Sequence, residues 1–301
     1  MKPIVPYDDV LDADARGMMV AAVLQSMGVV RRHQQGRYTD ILDTKRDGTL
    51  AALSADKESD KVGKEILRKI PGVIVHGEES GAEGESDIVL FLDGLDGSMP
   101  YAVGAGTSTV IAAAYCKSKK EVFYCLVGNP QTGQVWQAGA GLPATVGVFT
   151  QSGPTDMAPV TVSNGVLDGK SRVMIDSYPG FRRDGRVILS TGELDRLHSL
   201  IQARSGLLML GSNGIHHALV ANGGKGAVAA ITTAIGGPWD VCPVLLVLQA
   251  GGEARAFAVE TDGSLTEKNP LAVTEYDIVI SGNSEATVAT LVECLFTAKG
   301  R

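Results

Sequence analysis

Two aspartates at the end of an apolar run are the residues of this chain best suited to chemistry. Asp93 and Asp96 lie in the segment DGLDGS at 93–98, directly after the apolar run at 87–92. Because the two glycines of this segment allow the backbone to turn tightly, the carboxylates can point to one side with the Leu95 carbonyl between them. Hard oxygen donors of this kind suit Mg²⁺. On its own the segment is equally compatible with an ordinary turn, since Asp and Gly are common turn residues.

Two further acidic segments favour the metal site over an ordinary turn. Glu78 and Glu79 follow a short apolar strand predicted at 73–75, and Asp240 follows Trp239 in the segment GPWD. Alone, the glutamates are typical of a solvated loop and Asp240 of a helix N-terminus. Together, each acid lies where an apolar element ends or begins, so the side chains can meet in one cleft. Carboxylates gathered in a cleft repel one another unless cations neutralise them, so the pattern predicts a bound metal.

These three segments resemble the motifs of the inositol monophosphatase-like superfamily, whose pattern is GEE[ST], then DP[IL]DG[ST], then a distant WD pair. Members are magnesium-dependent, lithium-sensitive phosphatases, and the superfamily includes fructose-1,6-bisphosphatases and phosphatases of 3′-phosphoadenosine 5′-phosphate. The order of elements agrees with this family over nearly the whole chain.

The resemblance implies an α/β (α+β) fold, a layered αβαβα sandwich of the sugar-phosphatase type. It also implies two or three Mg²⁺ ions, with metal ligands at Glu78, Asp93, the Leu95 carbonyl, Asp96 and Asp240. The catalytic residues it implies are Ser98, Asp56 and Glu79. The expected substrate contacts are the backbone N–H groups of Gly97 and Ser98, together with Thr233 and Arg172.

The expected reaction is hydrolysis of a small phosphate monoester. Two divalent ions would neutralise the phosphate, while Ser98 and Asp56 orient or deprotonate the attacking water. Glu79 would position that water or a third ion. An aspartyl nucleophile of the DxDx[TV] type is excluded, because Asp93 and Asp96 are three residues apart rather than two.

Several alternatives stay open. If the protein is a phosphatase, its ester is an inositol or sugar phosphate, fructose 1,6-bisphosphate or a phosphorylated nucleotide. The alternative from another functional class is a catalytically silent protein that binds metal or phosphate. Gly94 replaces the usual Pro, Pro100 lies where the family commonly has Asn, and Thr233 replaces the glutamate of members that act on inositol. The candidate replacements for that contact are four basic residues: Arg172, Arg182, Arg183 and Lys225.

Composition limits the class of protein. The 301 residues are 44% hydrophobic and carry 27 Lys and Arg against 34 Asp and Glu, a formal charge of −7, which argues against nucleic-acid binding. No apolar run is long enough to span a bilayer. The four cysteines form no CxxC pair, and acids precede the first apolar stretch, so we expect a reduced, cytoplasmic protein. We expect a homodimer or homotetramer, because symmetric oligomers are common.

The elements that must position these residues follow from periodicity. Helices are predicted at 8–28, from Ser54 to about 70, and at 192–204, 213–222, 239–250 and 284–297. Strands are predicted at 73–75, 87–92, 107–116, 121–127, 134–137, 172–176, 207–210, 226–231, 254–259 and 273–280. An exposed loop is predicted at 31–48. The Gly- and Pro-rich stretch at 139–158 predicts a boundary between two lobes. The first lobe, residues 1–155, contains most of the metal-binding motifs, and the second, residues 156–301, contains the last metal ligand. We expect the active site to lie between the two lobes.

Overall fold

The structure is a computed structural model that describes residues 11–36, 41–44, 51–102, 104–150, 153–154, 156–168, 171–176, 182–183, 186–188, 190–223, 227–233 and 235–296. Its helices are α1 (Ala13–Gly36), α2 (Ser54–Leu67), α3 (Ser98–Ala102), α4 (Thr191–Arg204), α5 (Asn213–Ala221), α6 (Val244–Gln249) and α7 (Glu285–Phe296).

Most strands belong to two sheets. The strands of the first half are β1 (Ile41–Thr44), β2 (Ala51–Leu53), β3 (Val73–Gly77), β4 (Gly81–Ala82), β5 (Ile88–Asp96), β6 (Thr109–Cys116), β7 (Glu121–Gly128), β8 (Gln134–Gly139), β9 (Leu142–Thr150), β10 (Gly153–Pro154) and β11 (Ala158–Pro159). Those of the second half are β12 (Ser171–Ile175), β13 (Arg182–Arg183), β14 (Arg186–Val187), β15 (Ser205–Leu208), β16 (Ala227–Thr232), β17 (Glu253–Val259), β18 (Leu265–Lys268) and β19 (Ile278–Gly282).

The sheets alternate with helical layers. The first sheet has the order β10-β9-β8-β7-β6-β5-β3-β4 with β11 beside β9, and the second has the order β15-β12-β16-β19-β17-β18. One core joins α1 and α2 to the first sheet, a second encloses α5 and α6 between the sheets, and a third joins α4 and α7 to the far face of the second sheet. This is the αβαβα sandwich, so the prediction of the fold class is confirmed.

Strand β5 is buried along its whole length because it lies between two cores. Leu90 and Leu92 pack toward α1 and α2, whereas Val89 and Phe91 pack toward α5 and α6. A strand covered on both faces is apolar throughout rather than alternating, which is why residues 88–92 are all hydrophobic. Asp93 and Asp96, which follow the apolar run, therefore lie at the edge of the middle helical layer.

Some predicted boundaries are wrong. Helix α1 continues to Gly36 through the first part of the predicted loop, because Arg31 donates to the Pro130 carbonyl and His33 Nε2 contacts Glu58 Oε2 at 2.7 Å. The helix predicted at 239–250 is a 3-10 turn at Pro238–Asp240 followed by α6, with Pro243 as the N-cap residue.

Several strands also differ from prediction. β1 (Ile41–Thr44) lies inside the predicted exposed loop, and the strand predicted at 207–210 is β15 (Ser205–Leu208). Residues 142–150, inside the predicted lobe boundary, form β9 of the first sheet. The strand predicted at 273–280 begins only at Ile278. The division of the chain into lobes at residue 155 stays a prediction. Within the described residues, no helix combines the length and the apolar character needed to cross a bilayer.

Candidate active site

A bulge in β5 brings Asp93 and Asp96 to the same face. In the antiparallel pairing with β6, Asp93 lies opposite Ile111 and Asp96 opposite Thr109, so β5 carries one residue more than its partner. Residues three apart in a regular strand point to opposite faces, and the additional residue restores a common direction. The turn is held locally, since the Leu95 N–H donates to Asp93 Oδ1 at 2.8 Å.

Gly94 lets helix α2 approach this bulge closely. A Cβ at Gly94 would lie 2.5 Å from the backbone nitrogen of Asp60 and would collide with Ser59 Oγ. Ser59 Oγ donates to the Gly94 carbonyl at 2.8 Å. The loop that lacks the family's proline is therefore fixed by a hydrogen bond from α2.

Asp96 connects β5 to the start of α5. Its Oδ2 accepts hydrogen bonds from Ser212 Oγ at 2.6 Å, from the Gly214 N–H at 2.7 Å and from Thr109 Oγ1 at 2.8 Å. Its Oδ1 accepts from the Asn213 N–H at 3.2 Å. A carboxylate at the N-terminus of a helix is stabilised by such donors and by the helix dipole. Asp96 therefore positions the middle helical layer as well as lining the cleft.

The turn that precedes Asp240 fixes the position of its carboxylate through backbone hydrogen bonds. Its Oδ2 accepts from the Gly236 N–H at 2.6 Å and the Gly237 N–H at 3.0 Å, and its Oδ1 accepts from Asn213 Nδ2 at 3.1 Å. Trp239 is buried and packs edge-on against His76 with ring centroids 5.6 Å apart. His76 lies on β3, so this ring contact fixes the Asp240 turn against the strand that leads to Glu78.

A chain of buried polar groups supports Asn213 from behind. Its Oδ1 accepts from Thr232 Oγ1 at 3.4 Å, and Thr232 Oγ1 lies 3.3 Å from His217 Nε2. His217 Nδ1 lies 2.9 Å from Ser281 Oγ. Burial lowers the pKa of His217 to about 3, so its ring is neutral and acts as a hydrogen-bonding group.

Glu78 and Glu79 follow β3, which pairs in parallel with β5. The Glu78 N–H donates to the Leu92 carbonyl at 2.9 Å, which places Glu78 beside the end of the apolar run. Lys64 of α2 is buried and donates to Ser80 Oγ at 2.9 Å and to the Gly81 carbonyl at 2.7 Å. Glu78 lines the cleft, whereas Glu79 faces a neighbouring groove bordered by α2.

Ser98 and Asp56 form a pair at the other side of the bulge. Ser98 Oγ donates to Asp56 Oδ2 at 3.1 Å, and Asp56 lies fully buried in the first turn of α2. Gly97 has a φ of +86°, and a Cβ there would approach the Gly211 carbonyl to 2.8 Å. Only glycine tolerates both conditions, so Gly97 lets Ser98 lie at the floor of the cleft.

Burial and like charge raise the pKa values of the cleft acids. Asp93 is 2% exposed, and burial, followed by the charges of Glu78 and Asp96, raises its pKa well above the usual value. Burial also raises the pKa of Asp96, against the effect of its hydrogen bonds. Burial and the charges of Asp96 and Glu78 raise the pKa of Asp240 to about 8. Buried carboxylates in this condition are stabilised by a cation.

The cleft encloses about 190 Å³ and lies where the two halves of the chain meet. The predicted residues that line it are Glu78, Asp93, Leu95, Asp96, Gly97, Ser98 and Asp240. Among the described residues, no three His, Cys, Asp or Glu side chains approach closely enough to enclose a metal ion. Asp96 and Asp240 instead direct oxygens toward backbone N–H groups.

The donor set nevertheless fits a hard divalent cation. It consists of carboxylate oxygens and one carbonyl, which are the ligands of Mg²⁺ rather than of softer metals. Burial, followed by like-charge repulsion, raises the pKa values of Asp93 and Asp240, and a cation among these groups would offset both effects. Rotation of these side chains toward one another is required for that contact.

Two other predicted substrate contacts, Arg172 and Thr233, are not among the described residues that line the cleft. Arg172 lies on β12, where its Nη1 donates to the Ser171 carbonyl at 2.7 Å. Thr233 is buried behind the cleft wall. Of the other basic candidates, Lys225 lies outside the described residues, and only the backbone of Arg182 and Arg183 is described.

Sequence reasoning missed two polar side chains of the cleft, Asp176 and Asn213. Asp176 directly follows β12, and Asn213 opens α5 with Ser212 as N-cap residue. The end of a predicted strand and a Ser-Asn pair before a predicted helix were the available signals. Neither signal shows which other element it will meet.

Comparisons with known proteins agree on one family. The family model "Inositol monophosphatase family" matches residues 15–295. The fructose-1,6-bisphosphatase/inositol-1-monophosphatase of Archaeoglobus fulgidus is 36% identical over 94 residues, which are 31% of this chain and 36% of that protein.

Solved structures share the fold. The extragenic suppressor protein SuhB of Bartonella henselae superposes with a TM-score of 0.76 at 19% identity, over 96% of this chain and 100% of that one. The inositol monophosphatase of Anabaena (Nostoc) sp. superposes with a TM-score of 0.69 at 23% identity, over 97% of this chain and 96% of that one.

Proposed function

The chain belongs to the inositol monophosphatase family, and on this premise we propose that it is a Mg²⁺-dependent phosphomonoesterase acting on a small phosphate ester, an inositol phosphate or a sugar phosphate. One observation carries the proposal: acids from three distant segments, Glu78, Asp93 and Asp240, line the same cleft as Ser98. A cleft that combines buried carboxylates with a paired hydroxyl suits hydrolysis of an anionic ester.

Membership of the family implies how these donors would be shared between the cations. Glu78, Asp93 and the Leu95 carbonyl would hold a first Mg²⁺, and Asp93, Asp96 and Asp240 a second, with Glu79 beside a third. When bound, the cations neutralise the phosphate charge and lower the pKa of the attacking water.

The chain's own groups supply orientation and proton transfer. Ser98 Oγ orients the water for in-line attack on phosphorus. As the proton of the water moves to Ser98 Oγ, the hydroxyl proton moves to the Asp56 carboxylate, to which it is hydrogen-bonded, and a proton is returned to the alcohol oxygen that leaves. The backbone N–H groups of Gly97 and Ser98 bind phosphate oxygens.

Fructose 1,6-bisphosphate is a second candidate ester, supported by the name of the archaeal relative. A phosphorylated nucleotide such as 3′-phosphoadenosine 5′-phosphate is a third test compound. We propose a homodimer or homotetramer in a reducing, cytoplasmic compartment. All four cysteines are free, and three of them are buried, which supports the choice of compartment.

Phosphate release from a panel of these esters tests the proposal. Purified protein is assayed with Mg²⁺ and, in parallel, with excess chelator. Turnover of at least one ester that disappears with chelator is expected. Binding of metal with no turnover of any ester contradicts the proposal and favours a catalytically silent binding protein.

A further inference from the structure

We propose that Asp176 is a specificity-determining residue of the cleft, whose carboxylate accepts a hydrogen bond from a hydroxyl group on the alcohol part of the ester. The inference rests on the proposed function and deepens it. The substrate class it names is the phosphate of a polyol, as opposed to a phosphate ester that carries no second hydroxyl.

The position of Asp176 follows from the order of strands in the second sheet. β12 and β16 are parallel neighbours, with Ile175 opposite Ile231. Asp176 directly follows β12, and Thr233 directly follows β16, so their carboxyl ends meet at one edge of the sheet. Parallel strands present their following loops at this edge, where ligands bind in open α/β sheets.

Thr233 fixes the orientation of the Asp176 carboxylate. The Thr233 N–H donates to Asp176 Oδ1 at 2.8 Å, and Thr233 Oγ1 lies 3.3 Å from the same atom. The Asp176 N–H donates to the Ile231 carbonyl at 3.3 Å, which ties its backbone to β16. The hydroxyl of Thr233 therefore contacts Asp176 instead of substrate, and Thr233 is a positioning residue.

The two halves of the chain contribute different chemistry to the cleft wall. Gly97 and Ser98, with backbone N–H groups and a hydroxyl, come from the first half, whereas Asp176 comes from the second. An ionised carboxylate accepts hydrogen bonds and repels a phosphate oxygen. The group that meets Asp176 is therefore a donor, and in a phosphate ester the donors are the hydroxyl groups of the alcohol.

Burial makes this contact selective. Asp176 is only 8% exposed, so a hydrogen bond between its carboxylate and a substrate hydroxyl would form largely away from bulk water, where such bonds are stronger. Sites that hydrogen-bond a substrate hydroxyl discriminate strongly against analogues that lack it. Asp176 should therefore favour polyol phosphates over aryl phosphates.

The test compares two esters in one enzyme. kcat/KM is measured for an inositol monophosphate and for phenyl phosphate, which has no hydroxyl on its ring. In Asp176→Ala the ratio of the two values is expected to fall about 10- to 100-fold, the worth of a hydrogen bond to a charged group. Asp176→Asn keeps the shape and the Thr233 contact, and its ratio should fall about fivefold. Thr233→Ala should lower the ratio less, and Thr233→Ser should restore it.

Controls separate this role from others. Asp195→Asn, at an exposed position on α4, should leave the ratio unchanged. Equal losses on both esters in Asp176→Ala and Asp176→Asn, or a shifted Mg²⁺ activation curve, would overturn the inference by showing a structural or metal-binding role. A parent enzyme that hydrolyses phenyl phosphate but no inositol phosphate also overturns it. No turnover of any ester by the parent is the separate failure of the proposed function.

Discussion

The side-chain amide of Asn213 donates a hydrogen bond to Asp240 Oδ1 over 3.1 Å. The backbone N–H of the same residue donates to Asp96 Oδ1 at 3.2 Å. One residue at the start of α5 thus orients two of the carboxylates proposed to bind metal, although they are far apart in the sequence. Mutation of a group that orients metal ligands typically lowers metal affinity or activity about 10- to 100-fold.

Asn213→Ala should therefore weaken the Mg²⁺ dependence of turnover. We expect the apparent Mg²⁺ affinity or kcat/KM to fall about 10- to 100-fold, because Asp240 loses the donor that sets its rotamer. A Mg²⁺ titration of phosphate release measures the effect. Asn269→Ala, in an exposed turn, is the control. Equal Mg²⁺ curves for parent and Asn213→Ala would show that Asn213 has no such role.

Ser98→Ala removes the hydroxyl paired with Asp56. Loss of a proton-transfer or water-orienting group should lower kcat about 10²- to 10⁴-fold. KM should change little, since the backbone N–H groups that bind phosphate remain. Steady-state kinetics check both values, and Ser199→Ala on α4 is the matched control, because Ser199 is exposed and its Oγ donates to the Asp195 carbonyl one turn earlier in the same helix. A kcat within a factor of about three of the parent would remove Ser98 from the mechanism.

Gly94→Ala should destabilise the fold at the bulge of β5. The added Cβ would lie 2.5 Å from the Asp60 nitrogen, so α2 must move away from β5. We expect the free energy of unfolding in urea to fall by about 1–3 kcal/mol. Gly17→Ala in α1 is the control, since nothing lies within 4 Å of its Cβ, and it should raise stability by about 0.5–1 kcal/mol. Equal stability of Gly94→Ala and parent contradicts the close packing.

The pKa of Asp240 predicts how stability depends on pH. Its pKa rises from 3.8 to about 8 in the folded chain, so the folded state retains a proton that the unfolded state releases near pH 4. The stabilisation from this retained proton is fully present below 3.8, the pKa of Asp240 in the unfolded chain, and it is lost as the pH rises through about 8. In chelator, Tm should therefore decrease as the pH rises over this range.

Mg²⁺ should reverse that loss, because metal binding requires ionised carboxylates. The increase in Tm caused by Mg²⁺ should be larger at about pH 8.5 than at about pH 5.5. Differential scanning calorimetry measures both increases, and Asp240→Asn should show a smaller difference between them. An increase that is the same at both pH values would contradict the coupling between these acids and a cation.

The layered fold could be predicted because the alternation of apolar strands and helices encodes it locally. The errors arise where tertiary contacts determine the ends of elements. α1 extends through Arg31 and His33 because α2 and the loop after β7 provide partners for their side chains. Pro243 divides the helix predicted at 239–250, and the 3-10 turn before it is what aims Asp240 into the cleft.

The cleft could be predicted only in part. Asp93, Asp96 and Asp240 stand out because acids at the ends of apolar runs are unusual and follow a recognisable order. Asp176 does not stand out, because its meeting with Thr233 depends on the parallel pairing of β12 with β16. The charge of Arg172 likewise does not show which end of β12 faces the site, and its contact with substrate stays a prediction.

The central claim is that acids from three segments bind divalent cations facing a phosphate. Crystals grown with Mn²⁺ and phosphate, with data collected at the manganese absorption edge, test it most directly. The account predicts at least two anomalous peaks contacted by Glu78, Asp93, Asp96 and Asp240, and none at these positions in Asp93→Asn. Well-defined electron density for these four side chains, with no anomalous peak in the cleft, would contradict it.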